Sequence, residues 1–179
     1  HIPLILPPVV TGYFLLILFS RTGLIGRFLD TYFGITVAFH WFGAVLAASI
    51  MSFPLMVRAF RLGFESVDPK LEVAAHSLGA NRFMIFLTIT LPLVIPALIT
   101  GAILGFAKSM GEFGATITFV SNIPGQTQTV PSAIFEFLQL PGNNFMTIRL
   151  VCLSLLISIV ALYISEVLAS RLSQREHSE

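Results

Sequence analysis

Few side chains in this sequence can do chemistry, and two of them stand four apart. Lys108 and Glu112 close the apolar run "LPLVIPALITGAILGFA". That spacing sets an ammonium and a carboxylate on one helix face, where they can pair. Ionisable groups at membrane depth mark functional sites by default. A structural pair that closes the helix end is the competing reading. "GAILGFAKS", Gly101 to Ser109, offers a lysine and a serine but lacks the glycine before the lysine that a phosphate-binding loop needs. No catalytic residue and no nucleotide site is therefore expected. His40 and His76 lack companions at metal-ligand spacing and read as interfacial or surface residues, so neither a metal nor a cofactor is expected in this chain. Cys152 is the single cysteine, which excludes an intramolecular disulfide, and it reads as a small buried side chain.

The second feature is "SVDPKLEVAAHSLGANRFMIFLTITLP", Ser66 to Pro92. Asp68 can cap a helix whose first turn tolerates Pro69. Leu71, Ala74, Ala75 and Leu78 follow at helical spacing and make one apolar stripe with a small-residue centre. Gly79 can end that helix in a left-handed conformation, and Asn81 can cap a second helix over "RFMIFLTIT". An ordinary connector is one reading of this stretch. Two helices with a tight glycine joint and a small-residue stripe favour the other, a docking element at a membrane surface.

The elements that position these residues are membrane helices. Of 179 residues, 55% are hydrophobic and 11% charged, and the mean hydropathy is +0.89. A soluble domain carries about 25% charged residues. Four apolar segments can cross a hydrocarbon layer, about 2–19, 35–57, 91–110 and 150–168. The 58–90 loop and the C-terminal tail carry Arg58, Arg61, Lys70, Arg82, Arg171 and Arg175. The opposite side carries Arg21 and Arg27, with Arg149 at a span end counted with neither, so the 58–90 loop and the C-terminus are expected in the cytoplasm. Segment 111–147, with "SNIPGQTQTVPSA" and "LPGNN", is then external or partly re-entrant, with a short helix at "SAIFEFL". The chain starts at His1 and enters an apolar run without the basic region of a signal peptide, which points to an N-terminal truncation. The fold expected is all-α, a single polytopic helix bundle without a soluble domain.

Gly79, nine intervening residues, Ile89, one more, then Leu91-Pro92 resembles the "EAA…G…I-LP" signature of binding-protein-dependent ABC importer permeases. Ala74 and Ala75 stand where that signature has its alanines, whereas its glutamate would fall on Val73, with Glu72 one place earlier. "LPPVVTGY", "MSFPLMVRAFRLGFESVDPKLE", "GEFGATITFVSNIPG" and "TVPSAI" resemble the molybdate permeases of this family, and sulfate permeases are similar with a weaker match around "SNIPG". The resemblance implies the type I importer permease fold in the bacterial inner membrane, with two copies of the chain forming the path. It implies two cytoplasmic ATP-binding cassette subunits, a periplasmic oxyanion-binding protein and membrane lipid as partners, and no nucleic acid. ATPase coupling would fall to Leu71, Glu72, Ala74, Ala75, Leu78, Gly79, Ala80, Ile89, Leu91 and Pro92. Lys108, with Glu112, could meet a passing oxyanion, molybdate first and sulfate or tungstate as alternatives. An ATP-independent transporter or channel, or a membrane assembly factor, are the readings from other classes.

Overall fold

The computed structural model describes residues 6–140 and 144–176. Among them every regular element is helical. The chain divides into two compact units, one formed by His1–Pro54 with Gly105–Ile159, the other by Leu55–Leu104 with Val160–Glu179.

In the first unit, α1 (Pro8–Phe19) starts on proline at its first position, where the missing N–H costs nothing. It is only twelve residues long, about 18 Å, too short to cross a membrane alone. A turn closed by Gly23 N–H on Ser20 O leads to α2 (Leu24–Phe33), and the pair bends by 45°. The span expected over 2–19 thus holds a short helix that a bent companion follows; positions 2–5 lie outside the described residues. α1 lies against α7 (Gly114–Val120) so closely that a Cβ on Gly12 would stand 2.5 Å from Ala115 O and 2.9 Å from the Thr118 Cβ. Leu15, Val37, Ala47, Met51, Ala115, Phe119 and Val120 form the core around that seam. Phe19 meets Phe119 with ring centroids 6.1 Å apart.

Over the second expected span, 35–57, helix begins only at Trp41. Phe39 takes φ +58 in a turn, and α3 runs from Trp41 to Glu65. Nothing after Val57 breaks the helix, and Arg61 pairs with Glu65 one turn on, so the helix outlasts its apolar stretch. The third span was expected from about Leu91. The second helix expected over 82–90 joins it, and helix runs unbroken from Arg82 to Met110, as α5 (Arg82–Ile85), a π-helical segment Phe86–Thr90 and α6 (Leu91–Met110). The Leu91 N–H reaches Phe86 O five residues back, and Pro92 has no N–H to lose in the step of register. Pro96 also lies inside α6, and the Thr100 hydroxyl donates to its carbonyl at 2.9 Å.

Segment 111–147 holds α7, a turn in which Gly125 takes φ +76, and α8 (Val130–Gln139), capped by Thr129. The Asn122 and Gln128 amides both donate to Glu136 Oε2, at 2.7 and 2.8 Å, and tie the turn to α8. Of "LPGNN", positions 141–143 lie outside the described residues. α9 runs from Asn144 to Glu176, longer at both ends than the 150–168 expected. Cys152 lies exposed on it, not buried as expected: α9 meets too little of the described chain to cover it. Among the described residues three helices are long and apolar enough to cross a membrane, or four if α1 and α2 make one bent span.

In the second unit, α3 and α6 touch directly. A Cβ on Gly101 would meet the Phe60 ring at 2.5 Å and the Ala59 Cβ at 3.0 Å, so Gly101 serves a contact within the chain. Val94 is fully buried and Ile85 nearly so. α4 (Pro69–Ser77), also in this unit, belongs to the loop described next.

Candidate functional site: the 66–92 loop and the Lys108–Glu112 pair

Residue types in the loop account for its path. Asp68 Oδ1 accepts from the Lys70 N–H at 2.9 Å and Pro69 takes the first helical position, so α4 starts where a cap and a proline permit it. It ends at Gly79, φ +88, whose N–H donates to His76 O while that of Ala80 donates to Ala75 O. A Cβ on Gly79 would meet nothing within 4 Å, so the demand for glycine there is conformational and not steric. Asn81 Oδ1 accepts from the Met84 N–H at 2.8 Å and starts the long helix.

No residue of α4 is buried. Leu71 and Ala74 are exposed, Ala75 half-buried, and Leu78 is 89% exposed. The apolar stripe is thus uncovered by the described chain. The opposite side of α4 looks into a cleft of about 570 Å³ shared with the foot of the long helix and lined by Glu72, His76, Arg82, Phe86 and Thr90 among others. Across it the Thr90 hydroxyl donates to Glu72 Oε1 at 2.7 Å. Thr90 is 7% exposed. Its neighbour Thr88 instead bonds back to Met84 O along its own helix. Ile89 is half-buried in the π segment, and Leu91 and Pro92 open α6. The sequence reading placed Glu72 among the ATPase-coupling residues and did not single out Thr90. The signal it had was a buriable threonine between Ile89 and Leu91 in a loop otherwise rich in charge.

The other candidate pair is formed. Lys108 Nζ donates to Glu112 Oε2 at 3.2 Å, and Glu112 Oε1 accepts from the Ala115 N–H at 2.9 Å. Glu112 is 3% exposed, whereas the Lys108 side chain keeps 40% of its surface open. One carboxylate thus holds an ammonium and caps α7, whose own N-cap residue Phe113 has no side-chain acceptor. Among the described residues no three His, Cys, Asp or Glu side chains gather as a metal site would require.

Comparison with known proteins matches residues 1–174 to the family described as "Binding-protein-dependent transport system inner membrane component". The molybdenum transport system permease protein ModB of Escherichia coli K12 is 59% identical over 169 residues, 94% of this chain and 74% of the relative. That of Haemophilus influenzae is 51% identical over 175 residues, 98% of this chain and 76% of the relative. The sulfate transport system permease protein CysT of Salmonella typhimurium is 41% identical over 138 residues, 77% of this chain and 50% of the relative. With the family matched over nearly the whole chain and a helical architecture able to cross a membrane several times, this protein belongs to the inner membrane components of binding-protein-dependent transport systems.

Proposed function

We propose that this chain is the membrane subunit of an ABC importer for molybdate, and that two copies of it enclose the translocation path. The names of the Escherichia coli and Haemophilus influenzae relatives support the substrate. The observation that carries the coupling role is α4, a capped and exposed helix with an uncovered stripe of Leu71, Ala74, Ala75 and Leu78. Such a helix fits a groove on a second protein, with small residues at its centre for close approach. Hydrolysis then belongs to that partner, since "GAILGFAKS" lacks the glycine of a phosphate-binding loop. Two cassette ATPases sit on the cytoplasmic side, and a periplasmic oxyanion-binding protein delivers the anion to the opposite face. Closure of the ATPases switches the spans between two packings. Sulfate is the second reading, favoured by the Salmonella typhimurium relative. Uptake of labelled molybdate into vesicles holding the whole complex decides. Uptake is expected to require ATP, to be blocked by excess tungstate and to survive excess sulfate. Equal competition by sulfate would sink the molybdate assignment.

A further inference from the structure

We infer that Glu72 and Thr90 form a latch that makes α4 move together with the foot of the long helix, which makes Glu72 a positioning residue for energy coupling. The inference rests on the reading of α4 as the ATPase-docking element. With no residue of α4 buried, apolar packing does little to fasten it to residues 82–90. The covalent connection is the Gly79–Asn81 turn, where the glycine sits at φ +88 with open space around it. The Gly79 and Ala80 N–H groups bond back into α4, so they fix its end but not its angle to the long helix. The stiff connection is the 2.7 Å bond from the Thr90 hydroxyl to the Glu72 carboxylate, eighteen residues apart in sequence. Among the side-chain hydrogen bonds of the described residues it is the one that joins α4 to the long helix. It is short, charge-assisted and sheltered at its Thr90 end.

The same geometry explains a departure from the family signature. Adjacent helical residues point about 100° apart. Val73, where the signature glutamate would fall, is 64% exposed and lines the same cleft, with no polar group to offer Thr90. Glu72, one place earlier, is turned into the cleft and reaches Thr90. The offset puts the carboxylate within reach of the chain's own span.

The test uses the full-length subunit assembled with its ATPase and binding protein in vesicles, and reads molybdate transported per ATP hydrolysed. Glu72→Ala and Thr90→Val are each expected to lower that ratio by about tenfold, the equilibrium worth of one charge-assisted hydrogen bond, with the complex still assembled. Glu72→Gln and Thr90→Ser keep an acceptor and a donor and are expected to retain most of it. The double variant Glu72→Ala, Thr90→Val is expected to be no worse than either single one. Unchanged ratios overturn the latch, and so does a loss confined to Glu72→Ala, because the carboxylate would then act on a partner and not on Thr90. If the truncated variants fail to assemble, cysteines placed at 72 and 90 in a Cys152→Ser background can be joined by a short thiol crosslinker. Transport that persists after crosslinking upholds joint movement, and transport abolished by it overturns the latch. ATP-independent uptake by the unaltered complex overturns the docking reading itself, and the latch's role with it.

Discussion

Glu112 has both carboxylate oxygens engaged, one by Lys108 and one by the Ala115 N–H, in a site almost without solvent. Removing it leaves an ammonium and a helix N-terminus without their acceptor at once. Glu112→Ala is expected to cost about 2–3 kcal/mol, read as a lowered melting temperature in detergent. Lys108→Met is expected to cost less, because the Ala115 N–H still holds the Glu112 carboxylate when the half-buried lysine is gone. Equal losses would contradict this division. A Lys108→Met subunit that stays folded but no longer supports uptake places the ammonium on the anion's route, and one with normal uptake leaves it a structural role. This pair was legible in the sequence because both partners lie four apart at the end of one helix. Glu72 and Thr90 were not, since their meeting depends on how the chain turns at Gly79 between them.

At the scale of elements, the joint at Gly79 decides how α4 leaves the long helix. Substitution there meets no clash but places a side chain at φ +88, a strain of about 1–2 kcal/mol. Gly79→Trp is therefore expected to leave the subunit in the membrane in near-normal amount while co-purification with the ATPase falls at least severalfold. Unchanged co-purification and unchanged uptake would remove α4 as the docking element. The caps that frame α4 and the long helix were readable, because Asp68 and Asn81 act through local hydrogen bonds and Pro69 and Gly79 through local backbone conformation. Helix ends in the apolar segments were not. Hydropathy registers what lies in lipid, and α3 persists through Arg58, Arg61 and Glu65 because charged residues are good helix formers. The long helix likewise continues through Pro92 because the π segment shifts its register there.

For the whole molecule, uncovered apolar surface is the rule along α9, where Phe145, Leu155, Ile159 and Leu162 are all more than half exposed. Lipid and a second copy of the chain are the covers that fit such a helix. Its all-round apolar character was visible in the sequence, but which side meets lipid has no signature, because neither contact demands polar residues. Orientation rests on charge alone, and it can be checked directly. In a Cys152→Ala background, Lys70→Cys is expected to react with a charged maleimide only in inside-out vesicles, and Gln126→Cys only in right-side-out ones. Both positions are exposed, so failure to react cannot be laid to burial. The reverse pattern would place α4 outside and remove it from any cytoplasmic ATPase.

The seam between α1 and α7 bears on how this subunit can drift. At Gly12 even one methyl would press on the Ala115 backbone, so that site has a single acceptable residue, and no change on the facing helix can make room by shortening a side chain. The outward positions of α9 can exchange one apolar residue for another at little cost. Copies of the gene that diverge for long periods would hence accumulate their differences unevenly, nearly frozen along one short contact and loosely constrained over the outward face of α9.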